Sequence, residues 1–427
     1  MQAKHGSAVS FRSHGRLIGC LMALALTLSA LVFASTAAAG GPPPTPTKAY
    51  LALGDSITFG YTHEKFNANY PNENPAFFEQ GFDNFFYKDL KKPTEIGNGI
   101  ELVNDGCPGE TSDGLVGHNG SFGGGPGAEY NPCAYTFTNH LPLHNGGYYN
   151  PTSHEPVSQL EEAYSLLTAN DPYTAKPDEV DAITLNIGSN DELAGVATCK
   201  ASVAAEYGSK GYSEGYPGSG KHFGPAAGQP EPAGSPEAAL QNCLGFNSLT
   251  KTFPHIVANL ENVINVIESA GYTTKPIVLL GFYNPDGLLL RGSDGLQVKL
   301  NEDVEKMITK LASSGYTNLH FANPFPKFNN KGSETVAEWG KPIPPPGAEP
   351  IPANEKGTIC KYTEMCNQSV QEGSTGVPET EYKNGDIHPT LAGYTLLGAL
   401  VNDAYLAPAC TASTPYPFNT APGLPTC

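Results

Sequence analysis

The chain has 427 residues and carries 24 Lys and Arg against 42 Asp and Glu, a net charge of −18. That length allows one large domain or two small ones. A chain this acidic repels nucleic acid and anionic membranes, so neither is expected as a partner of the whole surface.

Lys4, Arg12 and Arg16 precede an apolar stretch from Leu17 to Phe33, and Ala37-Ala38-Ala39 offers a small-residue cleavage site. This is the layout of a secretory signal peptide over residues 1–39. Thr27 and Ser29 interrupt the stretch, which falls short of the roughly 20 apolar residues of a membrane span. Export is therefore expected. Removing residues 1–39 takes three cations and no acid and leaves a mature charge of −21. It also removes Cys20, so eight of the 9 cysteines remain. An even number in an exported chain predicts disulfides. Their clustering suggests the pairs Cys107–Cys133, Cys199–Cys243, Cys360–Cys366 and Cys410–Cys427. Zinc is disfavoured because no Cys-x-x-Cys pair exists.

A proline-dense arm, residues 40–47, leads into the first strand, Lys48 to Leu53. Helical spacing follows over Phe82 to Leu90, then a strand from Ile100 to Val103. A helix is expected over Val157 to Ala169 and a third strand over Val180 to Ile187. Helix Ile256 to Ser269, strand Pro276 to Tyr283, helix Leu296 to Ser313, strand Leu319 to Ala322 and helix Leu391 to Ala407 complete the series. Strands alternating with helices predict an α/β domain over residues 48–427 with a mostly parallel sheet covered on both faces. Residues 117–156, 202–237 and 324–384 lack apolar periodicity and read as long irregular insertions.

Ser56 follows the first strand in Gly54-Asp55-Ser56-Ile57. Gly106 follows the second, in Asn104-Asp-Gly-Cys-Pro-Gly-Glu-Thr-Ser112. Gly188-Ser189-Asn190-Asp191 follows the third, and Asp386-Ile387-His388-Pro389 precedes the last helix. In open α/β sheets, ligands bind at the carboxyl ends of strands, where the first three motifs fall. These four blocks, in this order, resemble those of the GDSL or SGNH hydrolases, notably their secreted lipases and esterases. The resemblance implies a flavodoxin-like three-layer α/β/α sandwich and ester hydrolysis.

The chemistry needs these residue types. A serine hydroxyl becomes a useful nucleophile only beside a base, which makes His388 the partner of Ser56. The tetrahedral intermediate needs donors where its charge develops. The backbone N–H of Ser56, the backbone N–H of Gly106 and the side-chain amide of Asn190 are expected to supply them. Asp55 and Asp191 read as braces of their turns. The family places its acidic member three residues before the histidine, a position held here by Gly385. Either Asp386 or a backbone carbonyl near Asn384-Gly385 is therefore expected to orient the His388 ring. Pro389 reads as part of the first helical turn.

Gly211-Tyr212-Ser213-Glu214-Gly215 also fits a nucleophile elbow, but no strand feeds it. His140 and His144 are separated by Pro142, which spoils a helical metal pair, and Gly123–Gly127 follows no strand. No cofactor or metal is expected. The leading reading is a secreted, monomeric ester hydrolase acting on small-molecule or lipid esters. The alternatives are a polysaccharide deacetylase and a non-catalytic surface-binding protein. Insertion aromatics such as Tyr130, Tyr149 and Tyr212 either line a substrate groove or pack the long loops.

Overall fold

Residues Ala49–Gly54 of β1 (Lys48–Gly54) are all buried, which is why this strand reads as an unbroken apolar run. The computed structural model describes residues 48–69, 74–117, 158–168, 179–207, 236–285, 293–329, 353–366 and 386–411. All of these lie in one unit, Pro46–Cys427. After β1 come α1 (Ser56–Phe59), α2 (His63–Asn69), α3 (Phe82–Leu90), β2 (Ile100–Asn104), α4 (Ser112–Val116) and α5 (Gln159–Leu167). β3 (Glu179–Asn186) leads into α6 (Ser189–Tyr207), α7 (Pro236–Asn247) and α8 (Phe253–Ser269). β4 (Ile277–Leu280), α9 (Ser293–Ser313), β5 (Leu319–Ala322), α10 (Phe325–Phe328), α11 (Ala353–Tyr362) and α12 (Leu391–Leu406) follow.

Among the described residues the five strands form one parallel sheet in the order β2-β1-β3-β4-β5. This is the flavodoxin-like order, so the fold is the expected three-layer α/β/α sandwich. Alternation along each strand builds two cores. Ala49, Leu51 and Leu53 of β1 join Ile183 and Leu185 of β3 beneath α5, α8 and α9. Tyr50 and Ala52 pack on the opposite face against Phe82 and Phe86 of α3 and Tyr394 and Leu397 of α12.

Two of the expected insertions differ in part from the sequence expectation. The insertion expected to begin at residue 202 overlaps α6, which continues to Tyr207. This helix has small residues on every side and no apolar stripe to betray it. Residues 324–384 were expected to be irregular, yet they contain α10, α11 and a 3-10 turn, Glu364–Cys366. Lys, Glu and Gly dilute the apolar pattern of α11 (ANEKGTICKY).

Cys199 and Cys243 form a disulfide between α6 and α7, as the clustering suggested. Cys107, Cys360 and Cys410 are also disulfide-bonded, to partners outside the described side chains. None of the described helices is long and apolar enough to cross a membrane.

Candidate active site

Ser56 is placed by a turn that only glycine permits. Gly54 has φ +152°, and a Cβ there would lie 2.2 Å from the carbonyl oxygen of Asn186. The Gln159 side chain clamps Gly54 from both sides, accepting from its N–H at 3.0 Å and donating to its carbonyl at 2.8 Å. Asp55 then caps α1, its Oδ1 accepting the N–H of Ile57 at 2.9 Å. α1 therefore starts on Ser56, and the hydroxyl emerges at the carboxyl edge of the sheet.

His388 Nε2 lies 2.8 Å from Ser56 Oγ across 332 residues of sequence. Nδ1 of the same ring meets Asp386 Oδ1. Asp386, rather than a backbone carbonyl, is the group that meets this ring nitrogen. That carboxylate also accepts the N–H of His388 at 3.1 Å and, through Oδ2, the N–H of His63 at 2.6 Å. Burial pushes the Asp386 carboxyl up, but the His388 ring and these hydrogen bonds outweigh it and hold the group below its ordinary value.

The segment carrying both residues is clamped by the stretch expected to be irregular. Glu364 donates its N–H to the His388 carbonyl at 2.9 Å and accepts the N–H of Asp386 at 3.3 Å. Thr390 donates its N–H to the Tyr362 carbonyl at 3.0 Å, and Thr363 pairs with Pro389 as an antiparallel bridge. Thr390 is the N-cap of α12, so Pro389 stands just outside the helix rather than in its first turn. The Tyr61 ring meets His388 edge-on at 4.8 Å between centroids.

Asn190, in the first turn of α6, lines the cleft beside Ser56, and its Nδ2 donates one hydrogen bond to the Glu110 carbonyl at 2.8 Å. Gly106 does not take the expected place. Its N–H is spent on Asn104 Oδ1 at 2.8 Å, it packs against Phe59, and it is not among the residues lining the cleft. Gly109 lines the cleft instead, with φ +87°. The N–H groups of Ser56 and Gly109 have no hydrogen-bond partner among the described residues. The sequence held a signal for this: Asn104 two residues before Gly106 is an Asx-turn pattern, which satisfies that glycine locally.

Behind these donors lie three buried carboxyls, each a chain neighbour of one of them: Asp55 of Ser56, Glu110 of Gly109 and Asp191 of Asn190. Burial raises Asp55 to about 7, Glu110 to about 8 and Asp191 to about 6. Asp191 braces its turn by accepting the N–H and the hydroxyl of Ser112 at 2.8 and 2.7 Å. Asn259 of α8 donates to Ser112 Oγ at 2.9 Å and to Asp113 Oδ1 at 3.0 Å, and His255 meets the same Asp113 oxygen at 2.7 Å.

The cleft holds about 230 Å³. It runs from Ser56 and His388 between α6 and α7 on one side and the end of β4 with α9 on the other. Among the described residues no cluster of His, Cys, Asp and Glu could hold a metal ion. Ser213, His140, His144, Gly123–Gly127 and the insertion aromatics lie outside the described side chains.

No protein-family model and no curated protein matches the chain. Among solved structures it is similar to an extracellular lipase from Streptomyces rimosus, at 14% identity over 84% of this chain and 99% of that one, TM-score 0.36. It is also similar to a member of the lipolytic G-D-S-L family from Veillonella parvula, at 11% identity over 83% and 95% of the two chains, TM-score 0.32. An acetyl xylan esterase from Geobacillus stearothermophilus shares 14% identity over 84% and 93%, TM-score 0.32.

Proposed function

We propose that this chain is an exported serine ester hydrolase of the SGNH type. One observation carries the reading: Ser56 Oγ lies 2.8 Å from His388 Nε2, while Asp386 holds the other ring nitrogen. In the proposed reaction His388 takes the Ser56 proton as the oxygen attacks the ester carbonyl. Asp386 fixes the tautomer in which Nε2 is free to accept, and stabilises the imidazolium that forms. The N–H of Ser56, the N–H of Gly109 and Nδ2 of Asn190 receive the negative charge of the tetrahedral intermediate. His388 returns the proton to the departing alcohol. It then activates water, which releases the acid from Ser56.

The apolar lining of the cleft, from Ile57, Leu193, Val196, Leu244 and Phe282 among others, supports acyl or lipid esters as substrates. Export rests on the charge and hydropathy pattern of residues 1–39 and is checked by amino-terminal sequencing of protein recovered from the medium. Ser56→Ala should lower kcat on p-nitrophenyl butyrate by several orders of magnitude with the melting temperature little changed. Retained activity would reject the reading. Removal of acetyl groups from a polysaccharide, the alternative, predicts faster turnover of acetylated xylan than of longer p-nitrophenyl esters.

A further inference from the structure

The carboxyl edge of the sheet supports the chemistry, but the walls of the cleft come from elsewhere. α6 starts in the site with Ser189 and Asn190 and continues along the cleft with Leu193 and Val196. The six steps from Asn190 to Val196 rise about 9 Å along the helix axis. α7 brings Leu244 to the same wall, and Leu296 of α9 faces the cleft from another side. Several polar side chains of this stretch are already engaged, while Gln241 of α7 adds a polar group to the same wall. Gln297 donates to Glu192 at 3.1 Å, and Asn284 donates to Ser293 and Asp294 at 2.7 and 2.6 Å. Leu193, Val196, Leu244 and Leu296 make a mostly apolar track leading away from the proposed oxyanion donors.

The α6–α7 pair does not belong to either core of the sandwich. Cys199, Val203, Leu240 and Leu244 make a small cluster of their own, with Val196 packed against it. Leu244 therefore faces both this cluster and the cleft. The Cys199–Cys243 disulfide staples the pair one residue from Leu244, and Asn247 Nδ2 donates to the two sulfurs at 3.1 and 3.3 Å. A π-helical turn, Ser248–Thr252, then carries the chain into α8, and its Ser248 also lines the cleft. π-turns inside helices recur at functional sites. With so small a core, the staple is what fixes the position of the wall.

We infer that the disulfide-stapled α6–α7 pair is the specificity wall of the site. Val196 and Leu244 contact the acyl chain of the substrate and select straight, medium-length acyl esters over acetyl esters. This inference rests on the ester-hydrolase reading above and adds the substrate class. The acyl chain lies along α6 with its carbonyl at Asn190. Each methylene added against the wall raises kcat/KM about fourfold until the track is filled.

The test is the ratio of kcat/KM for p-nitrophenyl octanoate to that for p-nitrophenyl acetate. It should be well above one for the native protein. Val196→Trp narrows the track and should lower the ratio at least tenfold. Val196→Ala widens it and should move the best substrate to a longer chain. The Cys199→Ser/Cys243→Ser double variant should flatten the profile, while Ala197→Trp on the exposed side of α6 should leave it as in the native protein. Circular dichroism melts identify any variant that has failed to fold, and the Val196→Ala arm, a simple truncation, keeps the test decisive. An unchanged ratio in folded Val196 and cysteine variants overturns the wall while leaving the hydrolase reading intact. Hydrolysis that persists in Ser56→Ala overturns the hydrolase reading itself.

Discussion

The backbone N–H of His63 donates to Asp386 Oδ2 at 2.6 Å, which leaves Oδ1 of that carboxylate for the ring of His388. The start of α2 thus sets the aim of a side chain more than three hundred residues away, and the loop just before it carries Tyr61 against the His388 ring. Asp386→Asn can still accept from His63 but offers Nδ1 an amide that imposes the wrong tautomer. Its kcat should fall by about 10⁴ with little change in KM, measured on p-nitrophenyl butyrate. Near-native kcat in Asp386→Asn would mean that a backbone group orients the ring.

The proposed mechanism makes Asn190 an oxyanion donor and Gly106 a spacer. Asn190→Ala removes an amide that lines the cleft and should cost roughly 10²–10³ in kcat while the protein stays folded. A Cβ on Gly106 would lie 2.4 Å from the Phe59 nitrogen, so Gly106→Ala should act through stability instead. Comparing kcat per folded molecule with the melting temperature distinguishes the two effects. A Gly106→Ala protein of native stability and greatly reduced kcat would restore that residue to the oxyanion hole.

Gly54→Ala tests the turn beneath Ser56. The new methyl would meet the Asn186 carbonyl oxygen at 2.2 Å and Thr58 Oγ1 at 2.3 Å, in a backbone region that L-residues avoid. The expected loss is at least about 2 kcal/mol of unfolding free energy in a urea titration. Native stability in this variant would show that the turn is not held as described.

Glu110 gives a pH dependence of stability whose sign follows from its environment. Burial raises its carboxyl from 4.5 to about 8, so the folded protein keeps a proton that the unfolded chain has lost across that window. Unfolding then releases a proton, and stability falls as pH rises from about 4.5 to about 8, with no further loss from this group above that. Asp55 and Asp191, also raised by burial, contribute in the same direction up to about 7 and about 6. Glu110→Gln should therefore melt with a smaller drop between pH 5 and pH 8 than the native protein. An equal drop in both would assign the dependence to other groups.

What the sequence made legible follows from physical strength of signal. β1 is buried on both faces and announces itself as an apolar run, and α3 and α8 show their amphipathic spacing. Ser56, Asn190 and His388 were legible because each follows or precedes a strong element. α6 was not, because its packing surface is a small disulfide-stapled cluster built from cysteine, valine and leucine rather than a broad apolar stripe. The clamp by Tyr362, Thr363 and Glu364 was equally hidden, since it consists of backbone hydrogen bonds that carry no side-chain signature. Gly106 and Gly109 lie three residues apart in one turn. Only the local hydrogen bond that Gly106 donates to Asn104 Oδ1 tells which N–H is spent.

The nucleophile is tested most directly by labelling the folded protein with a fluorophosphonate and mapping the adduct by peptide mass spectrometry. One adduct is expected, on the peptide that contains Ser56, lost in both Ser56→Ala and His388→Ala. An adduct on Ser213, or none at all in protein that still hydrolyses esters, would contradict it.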